Sequence, residues 1–314
     1  AKGIPVVGDV ELFGQVLATA ADRPKLIGIT GSNGKSTVTT MVGEMCKAAG
    51  LNTVIAGNIG LPVLDALAEA EQAGGTSKPQ CYVLELSSFQ LETTSSLDLD
   101  AATVLNVTED HLDRYDDMAH YASAKARIFS RCRHQVLNRE DRYSVAMKSS
   151  GNSVSYFARY APLGPSHFGL SSVRGESWLA HDQMPLMAVA DLPLAGGHNV
   201  ANALAALALA RAIDLPYPPI IEALRRFRGL PHRVEKVMDI GTVGFYDDSK
   251  GTNVGATVAA LNGMKEKVVL IAGGDGKAQD FSPLNDAVAK HARAVVLIGQ
   301  LNSFTATSAM PFSA

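Results

Sequence analysis

The stretch Gly28–Thr40 reads GITGSNGKSTVTT, and its reading decides the fold. It ends in the Gly-Lys-Ser/Thr tail of a phosphate-binding loop. The common form, G-x-x-x-x-G-K-[ST], wants a glycine five residues before Gly34, where this chain has Ile29. The nearest inner glycine, Gly31, stands only three before it. The flanks settle what the loop is. KLIGIT, just upstream, has the apolar run of a buried strand, and STVTTMVGEMCKAAG has the period of a helix ended by Gly50. A glycine-bearing turn between a strand and a helix start is the setting in which backbone N–H groups and the helix dipole cradle phosphate. An ordinary helix cap would explain the serine and glycine content, but not the lysine in that place. Gly31, Ser32, Asn33, Gly34, Lys35, Ser36 and Thr37 are therefore expected to bind a nucleotide. Lys35 would reach the β- and γ-phosphates, and the Ser36 or Thr37 hydroxyl would take Mg²⁺.

Working outward, short apolar runs alternate with helical patterns: NTVIAG, QCYVLEL, AATVLNV and HQVLNRED as strands, LPVLDALAEA and MAHYASAKARIFS as helices. This rhythm predicts an α/β protein, a central P-loop-type parallel sheet with helices on its faces. Residues 143–193, mixed in Gly, Pro and Ser, predict a small antiparallel appendage or edge strands. GGHNVANALAALALARAI and PPIIEALRRF are helices, and Gly229 with Pro231 marks a boundary. Beyond it, VGFYDDSKG, KVVLIAGGDG and RAVVLIGQ alternate with helical TNVGATVAALNGM and PLNDAVAKHA, the start of a second Rossmann-like α/β domain.

Composition excludes several classes. Of 314 residues, 46% are hydrophobic and 19% charged, so the chain is globular. A net charge of -3 without a long basic run speaks against nucleic acid as the main partner. There is no membrane-length apolar run and no signal peptide. The three cysteines, Cys46, Cys81 and Cys132, have neither disulfide-framework nor zinc spacing, and the expected compartment is the cytoplasm. A monomer is expected.

Four further clusters carry candidate chemistry. Glu85 ends a buried strand in YVLELSSFQLE, where a carboxylate at the carboxyl end of a parallel strand faces the ligand crevice. Taken alone, a solvent-facing strand-end glutamate would be the plainer reading. His111, in LNVTEDHLDRY, stands among Asp110 and Asp113 on a crevice loop and reads equally as a metal ligand or a structural histidine. Lys125, in YASAKARIF, reads from spacing alone as a solvated helix lysine. Arg233 in GLPHRVE, and Asp248, Ser249 and Lys250 in YDDSKGTN, suggest a cleft between two domains or an ordinary salt-bridge set.

Together GITGSNGKST, GNIG, VLELSSFQLE, LNVTEDHLDRY, HNVANALAA, GLPHR and DDSKGTN resemble, in order, the motifs of the Mur ligase family, from about residue 6 to 299. ELSSFQLE with TEDHLDRY is most similar to its D-glutamate-adding branch, the MurD type. Other Mur-type ligases and folylpolyglutamate synthase share the loop and the general mechanism. The resemblance implies an ATP-dependent amide ligase that adds D-glutamate to UDP-N-acetylmuramoyl-L-alanine through an acyl phosphate. It implies two Mg²⁺ ions, one on Ser36 and Glu85, the other on His111 and a carbamylated Lys125, which reverses the solvated-lysine reading. Lys35, Glu85, His111 and Lys125 would be catalytic. Asn199, Asn202, Arg233 and Asp248 would contact ATP. Asn58, Ser87, Asp110, Lys250, Thr252 and Lys277 would line the substrate side. Against that pattern, residues 1–13 would be the tail of an N-terminal UDP-binding domain, 14–229 the central ATP-binding domain, and 230–314 an incomplete C-terminal domain. The rival readings are a plain P-loop ATPase and a module that binds ATP without turnover. Gly251 stands where relatives often carry alanine and is expected to matter little.

Overall fold

The computed structural model describes residues 6–73, 78–194, 196–274 and 279–298. The chain forms two compact units, Ala1–Thr108 with Asp116–Pro231, and Glu109–Tyr115 with His232–Ala314.

The first unit is built on one nine-stranded sheet. Its strands are β1 (Lys25–Thr30), β2 (Thr53–Gly57), β3 (Cys81–Glu85), β4 (Leu99–Val104), β5 (Cys132–Asn138), β6 (Ser153–Phe157), β7 (His167–Val173), β8 (Glu176–His181) and β9 (Met184–Ala188). The spatial order is β2-β3-β1-β4-β5-β6-β7-β8-β9. All pairs from β2 to β7 are parallel, and β7-β8-β9 is an antiparallel edge. Residues 143–193 are thus no separate appendage. β6 and β7 prolong the parallel sheet, and only the last hairpins turn antiparallel. A short helix, α6 (Arg142–Ala146), precedes them, capped by Asp141 through Ser144 N–H.

The central strands are covered on both faces: every residue of β3 and β4, and all of β1 after Lys25, are buried, the polar Glu85, Asp100 and Thr103 among them. One face carries α2 (Lys35–Ala48), α7 (Gly197–Ala212) and α8 (Tyr217–Arg226). From Ala203 to Ala210 α7 is apolar all round and has no exposure, so this part of the helix is core rather than surface. Each such leucine contributes roughly 1.5–3 kcal/mol by leaving water. Elsewhere lie α1 (Asp9–Ala18), α3 (Val63–Ala73), α4 (Ser88–Glu92) and α5 (Met118–Ala126). α1 packs on α3 and α4, and its Phe13 ring meets Tyr82 edge-on at 5.2 Å. The expected seam after residue 13 therefore runs through a packed helix.

α1 is tied down by a carboxylate. Glu11 accepts N–H bonds from Ser95 at 2.7 Å and Ser96 at 2.9 Å, and another from the Gln15 amide at 2.9 Å. Burial alone would raise its pKa, but the backbone donors outweigh it and hold the group at about 2, below the ordinary 4.5. A depressed carboxylate stabilises fully above its unfolded pKa and loses that contribution as pH falls through its folded one. Glu11→Ala should therefore cost about 1–3 kcal/mol near neutral pH, two buried donors being orphaned. The gap from wild type should narrow between pH 4.5 and 2. Urea unfolding at pH 7 and pH 3 checks this; an equal gap at both would contradict it.

The second unit contains β10 (Glu235–Ile240), β11 (Val243–Asp247), α9 (Val254–Gly263), β12 (Val268–Gly273), α10 (Leu284–His291) and β13 (Ala292–Ile298). β12-α10-β13 is the expected parallel β-α-β crossover. β11 instead pairs antiparallel with β10, a strand hidden in the boundary sequence GLPHRVEKV. Among the described residues β11 is not joined to β12. No helix among the described residues is long and apolar enough to cross a membrane.

Candidate active site

The register of the sheet gathers the site. Ile29, at the end of β1, lies level with Glu85 on one side and Thr103 on the other, so the loops that follow β1, β3 and β4 emerge together at the carboxyl edge. The phosphate loop needs two unusual backbone positions there. Gly31 has φ 153° and Gly34 φ 84°. A Cβ on Gly34 would stand 2.6 Å from Asn202 Oδ1, so glycine also lets α7 close on the loop. Asn202 in turn donates to Asn199 Oδ1 at 3.3 Å. The two asparagines expected to contact ATP are thereby placed, Asn202 directly against the loop.

Lys35 opens α2 and folds back on the loop, donating to Gly31 O at 2.8 Å and Ser32 O at 3.0 Å. Lys125 Nζ donates to the same Gly31 carbonyl at 3.0 Å and lies 4.4 Å from the centre of the Tyr121 ring. Lys125 is 1% exposed, which overturns the solvated reading. The misreading has a plain cause: a lone lysine at a helix C-terminus usually extends into water, and only the packing of α5 under the loop buries it. Both amines thus meet on one carbonyl oxygen, and Lys35, on the loop itself, is the cation placed for phosphate. Ser36 and Thr37, in the first turn of α2, are buried beside them.

Glu85 is 2% exposed, against the solvent-facing alternative. Its Oε1 accepts from Asn58 Nδ2 at 2.9 Å. Its Oε2 is buried without a hydrogen-bond partner among the described residues. Asn58 N–H also bonds the Glu85 carbonyl at 2.8 Å, and a Cβ on Gly57 (φ 108°) would lie 2.3 Å from that oxygen. The glycines of GNIG therefore permit Asn58 to reach the strand end. Ser87, expected on the substrate side, caps α4. Its Oγ accepts from Gln90 N–H at 3.2 Å while the Gln90 side chain returns to Ser87 N–H, a capping box spelled by the S-x-x-Q of SSFQ.

His111 and Asp110 lie on Glu109–Tyr115, which groups with the second unit. His111 holds a left-handed φ of 55°, uncommon for a side-chain-bearing residue. Its N–H donates to Asp110 Oδ1 at 3.1 Å, and its Nε2 lies 3.6 Å from Asp110 Oδ2. In the same unit the HRVE of 232–235 and YDDSKG meet. Asp248 Oδ1 accepts from Val234 N–H at 3.1 Å, Lys250 N–H reaches His232 O at 3.2 Å, and His232 Nδ1 pairs with Asp247 Oδ2 at 2.6 Å. Arg233 is thus held between two left-handed residues, His232 and Val234. Burial raises the Asp248 pKa, with the Arg233 charge opposing. A Cβ on Gly251 would come 2.7 Å from Asp248 Oδ2, the far end of a side chain that can turn aside. Lys250 and Thr252 are exposed, and Lys277 lies outside the described residues.

Sequence reasoning passed over Asn106, Thr108 and Tyr121. Asn106 and Thr108 bind the phosphate loop through six hydrogen bonds to Ser32 and Asn33. The Tyr121 hydroxyl lies 3.4 Å from Ser32 Oγ. The available signal was an asparagine just past the end of a central strand.

The chain matches the Mur ligase middle domain over residues 29–210, more than half its length. A UDP-N-acetylmuramoylalanine–D-glutamate ligase of Methylobacillus flagellatus is 60% identical over 299 residues, covering 95% of this chain and 64% of that protein. One of the same name from Nitrosomonas europaea is 55% identical over 304 residues, with 95% and 64% covered. The chain thus spans somewhat less than two thirds of these relatives. Among solved structures, MurF from Acinetobacter baumannii superposes with a TM-score of 0.73 at 20% identity, covering 92% of this chain and 66% of that one. MurC from Thermotoga maritima gives 0.64 at 22% identity, covering 92% and 64%. Those two likenesses speak for the fold; the domain match goes further, and by it this chain belongs to the Mur ligase family.

Proposed function

We propose that this chain is the core of an ATP-dependent ligase that joins D-glutamate to UDP-N-acetylmuramoyl-L-alanine, a monomeric cytoplasmic enzyme of cell-wall precursor synthesis. The observation that carries the chemistry is the pairing, at one sheet edge, of a phosphate loop carrying Lys35 with the buried Glu85, whose Oε2 has no hydrogen-bond partner among the described residues. The substrate names come from relatives 55–60% identical to this chain.

A carboxylate is a poor electrophile, because its leaving group would be an oxide. Transfer of the γ-phosphoryl group to a substrate carboxylate oxygen, with ADP leaving, converts that oxygen into part of a phosphate. The D-glutamate amine then attacks the carbonyl carbon, phosphate departs with the C–O bond electrons, and the amine loses a proton. Charge accumulates on the phosphoryl oxygens, so catalysis is mostly positioning and neutralisation. Lys35 would hold the β- and γ-phosphates, and the amides at the start of α2 would face them. Asn199, Asn202, Arg233 and Asp248 would contact the nucleotide, and Asn58, Ser87, Asp110, Lys250, Thr252 and Lys277 the two other substrates.

The residues present fit Mg²⁺. A buried carboxylate oxygen with no hydrogen-bond donor among the described residues suits a hard cation, and the Ser36 hydroxyl is a second oxygen donor. His111 with Lys125 would hold a second ion once the Lys125 amine has added CO2 and lost a proton to become a carbamate; as an ammonium it would repel one. Bound Mg²⁺ neutralises the phosphate charge.

The test is ADP release in the protein at the length of its relatives. It should require both UDP-N-acetylmuramoyl-L-alanine and D-glutamate. ATP hydrolysis at full rate without them would overturn the ligase in favour of a plain ATPase.

A further inference from the structure

We propose that Asn106 is a positioning residue for the phosphate loop, holding Ser32 and Asn33 in the phosphate-binding shape before nucleotide arrives. The proposal rests on the nucleotide reading of the loop. β4 and β1 pair as far as Thr30 and Val104, and Leu105 N–H adds one more rung to Thr30 O at 2.9 Å. There the two chains separate. Asn106 continues the ladder with its side chain. Its Oδ1 accepts from Asn33 N–H at 2.8 Å and its Nδ2 donates to Asn33 O at 3.0 Å. A carboxamide carries one acceptor and donors in the pattern of a peptide group, so it can pair with both backbone groups of one residue.

The backbone around it joins in. Ser32 N–H donates to the Asn106 carbonyl at 2.9 Å. Thr108 N–H donates to Ser32 Oγ at 3.0 Å, Ser32 Oγ donates to Thr108 O at 2.9 Å, and Asn33 Nδ2 donates to Thr108 Oγ1 at 3.1 Å. The clamp is itself braced, since Asn138 Nδ2 donates to Leu105 O at 2.8 Å and Asp141 Oδ2 accepts from Val107 N–H at 2.9 Å.

The loop needs such a device. Gly31 and Gly34 both stand at positive φ, and glycine holds such a shape only weakly on its own. An unclamped loop would have to order its backbone at the moment of binding. A clamped one meets that cost during folding, which raises affinity for whatever the loop touches and for nothing else. The ligand part concerned is the terminal phosphates, not the nucleoside.

That asymmetry is the test. Affinities of the 314-residue chain for adenosine, ADP and ATP are measured by calorimetric competition for wild type, Asn106→Ala and Asn106→Leu. ADP and ATP are expected to weaken about tenfold, the equivalent of roughly 1.4 kcal/mol, and adenosine by less than twofold. Thr108→Val removes only the Asn33 Nδ2 acceptor, keeps the Asn106 pairing, and should give a smaller loss in the same phosphate-dependent sense. It serves if the Asn106 variants do not fold. Equal weakening of all three ligands would show a merely structural role and overturn the proposal, as would no weakening at all. A wild-type chain that binds none of the three defeats the nucleotide reading and this proposal with it.

Discussion

Lys125→Ala is expected to lower ligation by about 10³-fold or more, on the scale of removing a preorganised charge from a dry phosphoryl-transfer site. The expectation comes from burial. Lys125 is 1% exposed, anchored on Gly31 O and over the Tyr121 ring, beneath the loop that would hold ATP. A buried lysine this close to Lys35 is poorly explained as a second phosphate contact, because Lys35 already occupies the loop. As a carbamate it would turn a repelled metal into a bound one. Lys125→Arg separates the two roles, since it keeps the positive charge and cannot be carbamylated. Ligation should be as low in that variant as in Lys125→Ala. Stripping CO2 from the buffer should slow the wild-type enzyme and added bicarbonate should restore it, while neither variant responds. Nucleotide binding by calorimetry should survive in all three. An active Lys125→Arg, or a wild type indifferent to CO2, would sink the carbamate and leave Lys125 as a cation.

The strand-loop-helix setting of GSNGKST and the parallel sheet are legible in the sequence because each depends on local rules. A strand before and a helix after give GSNGKST its meaning. The apolar runs of β3 and β4 point to strands covered on both faces, while the strand-end position of Glu85 leaves both a crevice and a solvent-facing reading open until the fold buries it. What was not legible depended on contacts distant in sequence. Lys125 is buried by a loop 94 residues away, which no spacing on α5 reveals. Asn106 matters through Asn33, 73 residues earlier. β10 was hidden because its sequence, EKVMDI, mixes charged and apolar residues just after a proline break, and only pairing with β11 makes it a strand. The S-x-x-Q spacing of Ser87 spells the helix cap seen in the structure, whereas its proposed place on the substrate side comes from resemblance alone.

Glu85→Gln should separate stability from function in opposite directions. The carboxylate is 2% exposed, its Oε1 is satisfied by Asn58, and its Oε2 has no hydrogen-bond partner among the described residues. Burying an ionised oxygen without a donor is costly, and a neutral amide in the same place costs less. Gln at 85 keeps the Oε1 that Asn58 uses. Without metal or nucleotide, the variant should therefore melt about 2–4 °C higher than wild type, the shift that roughly 1 kcal/mol gives a unit of this size. With Mg²⁺ and ADP the order should reverse. Wild type gains the binding free energy of an ion held by a full carboxylate, and the variant, offering one neutral carbonyl oxygen, gains little. Ligation should fall about 10²–10³-fold, the range for losing one preorganised electrostatic group. Scanning calorimetry in four conditions, with and without each of Mg²⁺ and ADP, reads all of this from one pair of proteins. A variant that melts lower than wild type without ligand, yet keeps the full Mg²⁺-dependent shift, would mean that Glu85 is a structural group and that the metal is held elsewhere. A divalent cation at the phosphate loop would satisfy that oxygen, and the four conditions read directly whether it does.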